Sequence, residues 1–289
     1  MKQLRIVCQA LMLLLGICLT QSAAASTGYM YSRGSLYTVD PDTGNVREIG
    51  PTVRLTALAF DPDHRLFGVG EATPTSNTFL YELDVTSGAA TPVGDCQGTF
   101  SFWDLTIDSL GRIWAIDTDT LYSIDPSTGL ATPVTVFGGY GGAIAARDQD
   151  LFIVQNAVSG PSCSWWVDLV DPSTGIRTRV LEEIVSCLRP ESASFGAGGE
   201  LRVSAASPGP IPFLIFRSFF RLDLDSGQVQ ETFSAATDPG DPLWDPRGLA
   251  MSLVASPATV DVPTLSPVAS IALFALLAML GAVASRRLR

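Results

Sequence analysis

A short unit recurs five times along the chain, and this repeat constrains the fold more than any other feature of the sequence. Each copy is a short alternating segment followed by an aspartate and, four residues later, by a glycine. The copies are Leu36–Gly44, Leu80–Gly88, Leu121–Gly129, Val167–Gly175 and Phe219–Gly227. Each copy predicts a strand, a turn led by the aspartate with glycine where φ is positive, and a second strand after the turn.

A second, fainter hairpin lies between successive copies, at Leu58–Phe67, Leu105–Trp114, Ile144–Phe152 and, more loosely, Ala193–Leu201. The glycines of the main unit are 41 to 52 residues apart. Two hairpins in such a period make four strands, which is typical of a propeller blade. The alternative is an open β-sandwich whose turns are similar by chance.

The two ends of the repeat region complement each other. Tyr29–Tyr31 precedes the first copy as a single strand, and Gly248–Leu253 follows the last copy as a spare strand. If the spare strand joins the first blade, the ring closes and no sheet edge is left open. The sequence therefore predicts an all-β fold over residues 26–255, a five-bladed β-propeller in which the last strand closes blade one.

The units resemble the NHL, YVTN and related bacterial propeller repeats. The element that carries the resemblance is Leu-Tyr-x-Ile-Asp-Pro-x-Thr-Gly, as at Leu121–Gly129. The resemblance implies the fold far more than an activity, since repeats of this kind occur in proteins of unrelated function.

The two chain ends have the composition of targeting segments. Residues 1–25 carry Lys2 and Arg5, an apolar run and three alanines, which predicts a helical secretory signal peptide. Residues 265–285 are uncharged and largely apolar, and the basic tail 286–289 follows them, which predicts a transmembrane helix whose basic end is cytoplasmic. The alternative for either segment is a buried helix of the domain. We expect an exported, membrane-anchored protein with its domain outside the cytoplasm.

The segment 256–264 is predicted to be a linker that leads into a sorting motif. Val262, Pro263, Thr264, Leu265 and Ser266, together with the apolar helix and the arginines after them, resemble the IPTL-type C-terminal sorting signals of bacterial surface proteins, which are related to PEP-type signals. The resemblance implies recognition by a membrane transpeptidase of the exosortase kind and display at the cell surface. Val262 stands where that family usually has isoleucine, and Pro267-Val268 stand where it usually has an acidic residue and tryptophan.

Charge and histidine content exclude several function classes. The chain has 18 basic and 29 acidic residues, and five of the basic residues belong to the two ends, so the exported part carries 13 basic residues and a net charge of −16. This charge disfavours nucleic acid as a partner. One histidine, His64, rules out a multi-histidine metal centre and lies in a predicted turn. We therefore expect no catalytic residues and no resident cofactor, with Ca²⁺ left open at the acidic segment Asp238–Asp245.

Strand order divides the connections between two faces of the ring. We label the strands of a blade A to D from the centre outward. The turn face carries the A–B and C–D turns, and the loop face carries the B–C and D–A connections. The long, variable connections fall on the loop face, at Glu71–Thr78, Asn156–Ser164, Ser204–Phe213 and Ala235–Arg247. Long loops on a rigid scaffold are the usual place for binding.

Tryptophans and carboxylates are concentrated at the same face. The candidate ligand-binding residues are Trp103, Asp104, Trp165, Trp166, Asp241, Trp244 and Asp245. Indole rings with neighbouring carboxylates suit a sugar, which stacks on the ring and donates hydrogen bonds through its hydroxyls. The alternative is that the tryptophans pack between blades and the aspartates cap turns.

Three cysteines remain after removal of the signal peptide. Cys163 and Cys187 map to the loop face and are predicted to form a disulfide, which export permits, while Cys96 stays unpaired.

The sequence thus predicts an exported, surface-anchored binding or display module with a glycan or protein ligand on the loop face. Two alternatives stay open. One is a calcium-assisted polysaccharide hydrolase or lyase that uses carboxylates at the rim, and the other is a purely structural envelope protein.

Overall fold

The computed structural model describes residues 27–71, 77–98, 102–136, 142–159, 162–185, 188–196, 198–208, 215–237 and 247–251. Every regular element in these ranges is a β-strand. The strands are β1 (Gly28–Ser32), β2 (Ser35–Val39), β3 (Val46–Pro51), β4 (Arg54–Phe60), β5 (Leu66–Glu71), β6 (Thr78–Leu83), β7 (Ala90–Asp95), β8 (Asp104–Ile107), β9 (Ile113–Ile116), β10 (Thr120–Ile124), β11 (Ala131–Val136), β12 (Ala143–Arg147), β13 (Asp150–Ser159), β14 (Ser162–Val170), β15 (Arg177–Val185), β16 (Arg189–Phe195), β17 (Leu201–Pro208), β18 (Ile215–Asp223), β19 (Gln228–Thr237) and β20 (Arg247–Met251).

The strands form five antiparallel four-stranded sheets, which confirms the predicted five-bladed propeller. Blade 1 has the order β20-β1-β2-β3, and blades 2 to 5 each use four consecutive strands, beginning with β4, β8, β12 and β16. The last strand pairs with the first, with Gly28 opposite Met251 and Met30 opposite Leu249. The spare strand therefore closes blade 1 as predicted.

The repeated aspartates build the C–D turns. In blade 3, the Asp125 carboxylate accepts hydrogen bonds from the Ser127 N–H and hydroxyl groups at 2.8 and 2.6 Å, and Gly129 has φ +77°. Glycine is favoured there because an L side chain is strained at positive φ. The backbone hydrogen bond recurs in all the other blades, and the hydroxyl bond recurs in blades 2 and 4. Hydrogen bonds from side chains and backbone lower the pKa of four turn carboxyls, those of Asp84, Asp125, Asp171 and Asp223.

The hydrophobic core lies between the blades, because successive residues of a strand face opposite neighbours. In blade 3, Ile113 and Ala115 pack with side chains of blade 2. Trp114 and Ile116 pack with Ile144 and other side chains of blade 4.

Each turn glycine also contacts the outer strand of the preceding blade. A Cβ on Gly129 would lie 2.6 Å from the carbonyl carbon of Gly94 in β7, and one on Gly88 would lie 2.7 Å from the carbonyl oxygen of Gly50 in β3. Gly175 faces Thr135 of β11 and Gly44 faces Phe233 of β19 in the same manner. The glycine of the repeat therefore serves both the turn and the contact between blades.

The blades differ in height. The strands of blade 3 have 4 to 6 residues, whereas β13, β14 and β15 of blade 4 have 9 or 10. The β13–β14 ladder starts at the pair Leu151–Val170 and continues to Ser159–Ser162 at the loop face. The corresponding β9–β10 ladder of blade 3 ends at Ile116–Leu121, so the β13–β14 ladder continues for five more pairs. At roughly 3.3 Å per residue, this makes blade 4 about 16 Å taller at the loop face.

The predicted signal peptide, linker, sorting motif, transmembrane helix and basic tail lie outside the described residues. In the ranges that are described, no helix is long and apolar enough to cross a membrane.

Candidate binding sites of the propeller

Four of the seven predicted ligand-binding residues lie in the described part of the chain, and they have four different surroundings. Trp103 and Trp166 are partly exposed, whereas Asp104 and Trp165 are fully buried. Asp241, Trp244 and Asp245 lie outside the described residues.

Asp104 connects the inner strands of three blades. Its Oδ2 accepts hydrogen bonds from the backbone N–H groups of Ile144 in β12 and Ala193 in β16, both at 2.9 Å. Its Oδ1 accepts one from the Ser192 hydroxyl at 2.8 Å, and the Ser192 Oγ accepts one from the Leu249 N–H of β20 at 2.6 Å. These N–H groups lie on the unpaired edge of inner strands, so an acceptor side chain is needed there. Asp104 and Ser192 together link blades 3, 4, 5 and 1.

The surroundings of Asp104 change its acidity. Burial raises the pKa of Asp104 to about 8, and the hydrogen bonds from Ile144, Ala193 and Ser192 offset only part of this effect. The side chain is 0% exposed, so neither oxygen reaches a ligand at the surface. Asp104 therefore connects the inner strands of the blades to each other.

Trp103 precedes Asp104 and stacks with an arginine of another blade. The Arg189 guanidinium carbon lies 3.8 Å from the centroid of the Trp103 ring. Arg189 begins the inner strand of blade 5 and is exposed. The pair therefore joins blades 3 and 5 at the loop face, and one side of the Trp103 indole is covered by a cation.

Trp165 and Trp166 are adjacent and face opposite sides of blade 4. Trp165 packs edge-to-face against Phe220 of blade 5, with ring centroids 4.9 Å apart. Alternation along the strand indicates this position, since Trp165 lies two residues before Val167, which takes the place of Leu36, Leu80 and Leu121 in the repeat. Trp166 faces blade 3.

Trp166 belongs to a polar cluster that sequence reasoning missed. Its Nε1 donates to Asp168 Oδ2 at 3.1 Å, and the Arg179 guanidinium carbon lies 4.5 Å from its ring centroid. Arg179 Nε donates to Asp168 Oδ1 at 2.5 Å. Arg177 Nη1 donates to Gln155 Oε1 at 2.5 Å and lies 3.6 Å from Asp168. One visible signal was that Asp168 stands where the other repeats have an aromatic residue.

A cleft of about 390 Å³ lies on the turn face, between the A–B turns of blades 2 and 3. Its floor includes Phe67 and Ile107, and Leu110 is 61% exposed. The Arg65 guanidinium in its wall pairs with Asp61 at 2.7 Å. No sequence pattern predicted a concave surface on this face, because the cleft arises from two short turns that are distant in sequence.

Of the three cysteines that follow the predicted signal peptide, the structure describes the side chain of Cys96. The side chains of Cys163 and Cys187 lie outside the described part of the chain. Cys96 is unpaired and buried among apolar side chains between blades 2 and 3. Burial, with a smaller contribution from the Asp95 charge, raises the pKa of its thiol to about 12. The Cys96 side chain therefore stays a protonated thiol at neutral pH.

The described part of the chain brings no set of metal ligands together. Within the described ranges, no three Asp, Glu, His or Cys side chains lie close enough together to hold a metal ion. The acidic segment 238–245, the predicted candidate for Ca²⁺ binding, lies outside those ranges.

Comparisons with known proteins find distant structural similarity. No family model matches the chain, and no curated protein matches its sequence. Hydrazine synthase from Kuenenia stuttgartiensis matches with 17% identity and a TM-score of 0.42, over 68% of this chain and 59% of that one. TolB from Acinetobacter baumannii matches with 18% identity and a TM-score of 0.44, over 79% of this chain and 54% of that one.

A third match has the same character. The extracellular domain of a hybrid two-component system from B. thetaiotaomicron is 13% identical with a TM-score of 0.40, over 75% of this chain and 27% of that one. The chain spans little more than half the length of the first two proteins. Similarity at this level identifies no activity, ligand or partner of the chain.

Proposed function

We propose that this protein is an exported binding module, anchored to the membrane, whose loop face binds a glycan. The observation that carries the proposal is the asymmetry of the ring. On the turn face, the five C–D turns are near-identical aspartate turns, whereas the connections on the loop face vary and reach nine residues between β19 and β20. A rigid ring with variable loops on one side is a common arrangement for binding.

The aromatic side chains support the same face. Trp103 and Trp166 are both partly exposed, and both are held in place by an arginine stacked on the ring. An indole fixed in this manner offers contact area to a sugar at little cost in side-chain entropy.

The alternative of a polysaccharide hydrolase or lyase has less support. Two-carboxylate chemistry requires an acid and a base that face the sugar. Asp104 is the one predicted site carboxylate in the described part of the chain, but its oxygens accept hydrogen bonds from the inner strands of the ring and its side chain is buried. A binding role does not require the Asp104 carboxylate to face the sugar.

The proposal includes the export and anchoring of the domain. The signal peptide 1–25, the helix 265–285 and the sorting motif Val262–Ser266 would deliver the propeller to the outer side of the membrane, with a transpeptidase as the partner that processes the tail. A disulfide between Cys163 and Cys187 would stabilise the extended hairpin of blade 4. Protease accessibility of the domain in intact cells tests the topology, and a mass shift on reduction tests the disulfide.

A glycan array probed with the full chain, purified in detergent, tests the ligand class. We expect retention on at least one glycan, and loss of that retention in the double variant Trp103→Ala, Trp166→Ala. The matched control is Leu110→Ala, which removes an exposed side chain from the turn face. Retention that depends on Leu110 and survives the double variant would move the site to the turn-face cleft. Turnover of an arrayed polysaccharide would support the enzyme alternative instead.

A further inference from the structure

The fourth repeat departs from the other four at one core position. The second residue of the unit is aromatic in copies one, two, three and five, as Tyr37, Tyr81, Tyr122 and Phe220. In the fourth copy it is Asp168. Tyr122 of blade 3, for example, packs with side chains of blade 2, the blade that precedes it. Asp168 is only 3% exposed. A buried carboxylate in place of an aromatic ring is unfavourable unless it is paired and hydrogen-bonded. The side chains around Asp168 therefore have to supply those partners.

Asp168 holds two neighbouring side chains in fixed positions. Its two oxygens accept hydrogen bonds from Arg179 Nε and Trp166 Nε1, and the guanidinium group lies over the indole ring. Arg177 approaches the same carboxylate and bonds to Gln155. The result is a preorganised pair of arginines beside a tryptophan, with one net positive charge in a domain that is otherwise acidic.

Donors remain available in this cluster. A guanidinium group has five N–H donors, and Asp168 and Gln155 use only a minority of those on Arg177 and Arg179. Within the described part of the chain, nothing accepts a hydrogen bond from Gln155 Nε2, although this side chain is 1% exposed. The side chains of Arg177 and Arg179 are 31% and 44% exposed, so solvent reaches them.

The cluster lies at the step between a short blade and a tall one. At the loop-face end of blade 3, the last pair between β9 and β10 is Ile116–Leu121. The equivalent pair in blade 4 is Val154–Val167. The next pair, Gln155 opposite Trp166, is therefore the first that extends beyond blade 3 on the side that faces it. Arg179 and Arg177 lie opposite Asp168 and Val170, level with blade 3, and their guanidinium groups reach Trp166 and Gln155. A ligand that rests on the loop-face end of blade 3 would therefore meet these guanidinium groups beside Gln155 and Trp166.

We propose that Arg177, Arg179 and Gln155, oriented by Asp168 and Trp166, bind the carboxylate of a uronic acid in an acidic glycan. The inference rests on the proposed function and names its ligand class. The planar fork of arginine matches the two oxygens of a carboxylate, the Gln155 amide supplies a further donor, and the edge of the indole provides an apolar contact for the sugar ring. The negative charge of the domain opposes polyanions at long range, so binding depends on these local donors.

Calorimetry with the full chain in detergent tests the inference with two probes, oligogalacturonate and the same oligosaccharide with its carboxyl groups reduced to hydroxymethyl groups. We expect the acidic probe to bind at least about tenfold more tightly, because charge-assisted hydrogen bonds discriminate by this order. The double variant Arg177→Gln, Arg179→Gln should lose this preference. The control Arg221→Gln removes another arginine that bonds to a glutamine, Gln230 of blade 5, and should bind as the unmodified chain does.

The outcomes separate this inference from the proposed function. Equal binding of the two probes, or an unchanged preference in the double variant, overturns the uronate site and leaves glycan binding in place. Absence of binding to either probe, in a protein whose thermal unfolding midpoint is normal, overturns the uronate site, and an empty glycan array then overturns the proposed function as well. Variants that fail to fold are replaced by Gln155→Leu, which removes the amide alone and should weaken only the acidic probe.

Discussion

Individual residues of the inner ring determine how the blades are connected, and Asp104 is the clearest case. Its carboxylate accepts hydrogen bonds from strands that are 40 and 89 residues away in sequence. A neutral asparagine of the same shape can keep the two backbone contacts through its carbonyl oxygen, while its amide group meets the Ser192 hydroxyl. The comparison of Asp and Asn at this position therefore isolates the effect of the buried charge.

Asp104→Asn should change how stability depends on pH. The folded pKa of about 8 lies above the value of an unfolded aspartate, so this group favours folding most at low pH and less as pH rises toward 8. Relative to the variant, the unmodified chain should lose stability on the order of a few kcal/mol between about pH 4 and 8. Urea-unfolding midpoints measured across that range check this. A constant difference between the two proteins would mean that the carboxylate is ionised in the fold throughout.

Trp165 and Trp166 provide a second residue-level test, since they are adjacent and differ in environment. Trp165→Ala should lower the free energy of unfolding by about 3–5 kcal/mol, because it leaves a cavity against Phe220. Trp166→Ala should cost about 1–2 kcal/mol, through the lost stacking with Arg179 and one lost hydrogen bond. Equal losses in chemical denaturation would contradict the assignment of the first to the core and the second to the surface.

The residue scale also shows where sequence reasoning is sufficient and where it is not. The repeat alignment places Trp165, a predicted ligand-binding residue, on the same side of its strand as the core residue Val167, and it shows that Asp168 is exceptional. Both conclusions need only the alternation of a strand, but the sequence analysis drew neither of them. The partners of Asp104 lie in other blades, and no local pattern encodes how separate blades are placed against each other. The partners of Asp168 lie within blade 4, where the register of β14 with β15 sets Arg179 opposite Asp168. Sequence reasoning therefore identified Trp103 and Trp166 as candidates and missed the arginines that cover them.

At the level of strands and turns, the C–D turn glycines combine two requirements that can be separated by substitution. Gly129 has positive φ and contacts Gly94, whereas Gly111 has φ +75° and no atom lies within 4 Å of the place that a Cβ would occupy. Gly94 has an ordinary backbone conformation, and a Cβ on it would overlap the Thr128 carbonyl group. Gly111 therefore has only the positive φ, Gly94 has only the contact between blades, and Gly129 has both.

Alanine at these three positions should destabilise the protein in a defined order. Gly111→Ala should cost about 1–2 kcal/mol from backbone strain. Gly94→Ala should cost about 2–4 kcal/mol because the turn of blade 3 must move away from β7, and Gly129→Ala should cost more than either. Thermal and urea unfolding give the order. If Gly111→Ala and Gly129→Ala were equal, the contact between blades would contribute nothing.

The turns also explain why the blade architecture was predictable. Each aspartate turn specifies its own hairpin through local hydrogen bonds, as at Asp125 and Gly129, so five copies identify five C–D hairpins without any long-range information. The heights of the blades were not predictable to the same degree. The extensions of β13 and β14 beyond Val154 and Val167 lack the repeat signature, and pairing across the blade determines where they end.

The ring as a whole depends on one short strand at the end of the repeat region. Leu249 and Met251 of β20 pack in a cluster with Met30 and Phe219, which belong to blades 1 and 5. Their N–H groups donate to the hydroxyl oxygens of Ser192 and Ser194 in blade 5. On its other side, β20 approaches blade 2, where Gly248 lies against the backbone of Leu58. One strand thus contacts three blades and covers the inner edge of β1.

Removal of β20 should open the ring, and the strand should be replaceable in trans. A chain that ends at residue 246 leaves β1 with an exposed apolar edge, so we expect it to aggregate and to lose a cooperative unfolding transition. A chain that ends at residue 256 keeps β20 and should unfold cooperatively.

Adding the peptide 247–256 to the shorter chain should restore solubility and the transition, because the antiparallel register with β1 and the serine acceptors of blade 5 are both present to receive it. A scrambled peptide of the same composition supplies no such register and should not restore them. Cooperative folding of the shorter chain without the peptide would show instead that the four complete blades close on themselves, and that β20 only covers an edge of blade 1.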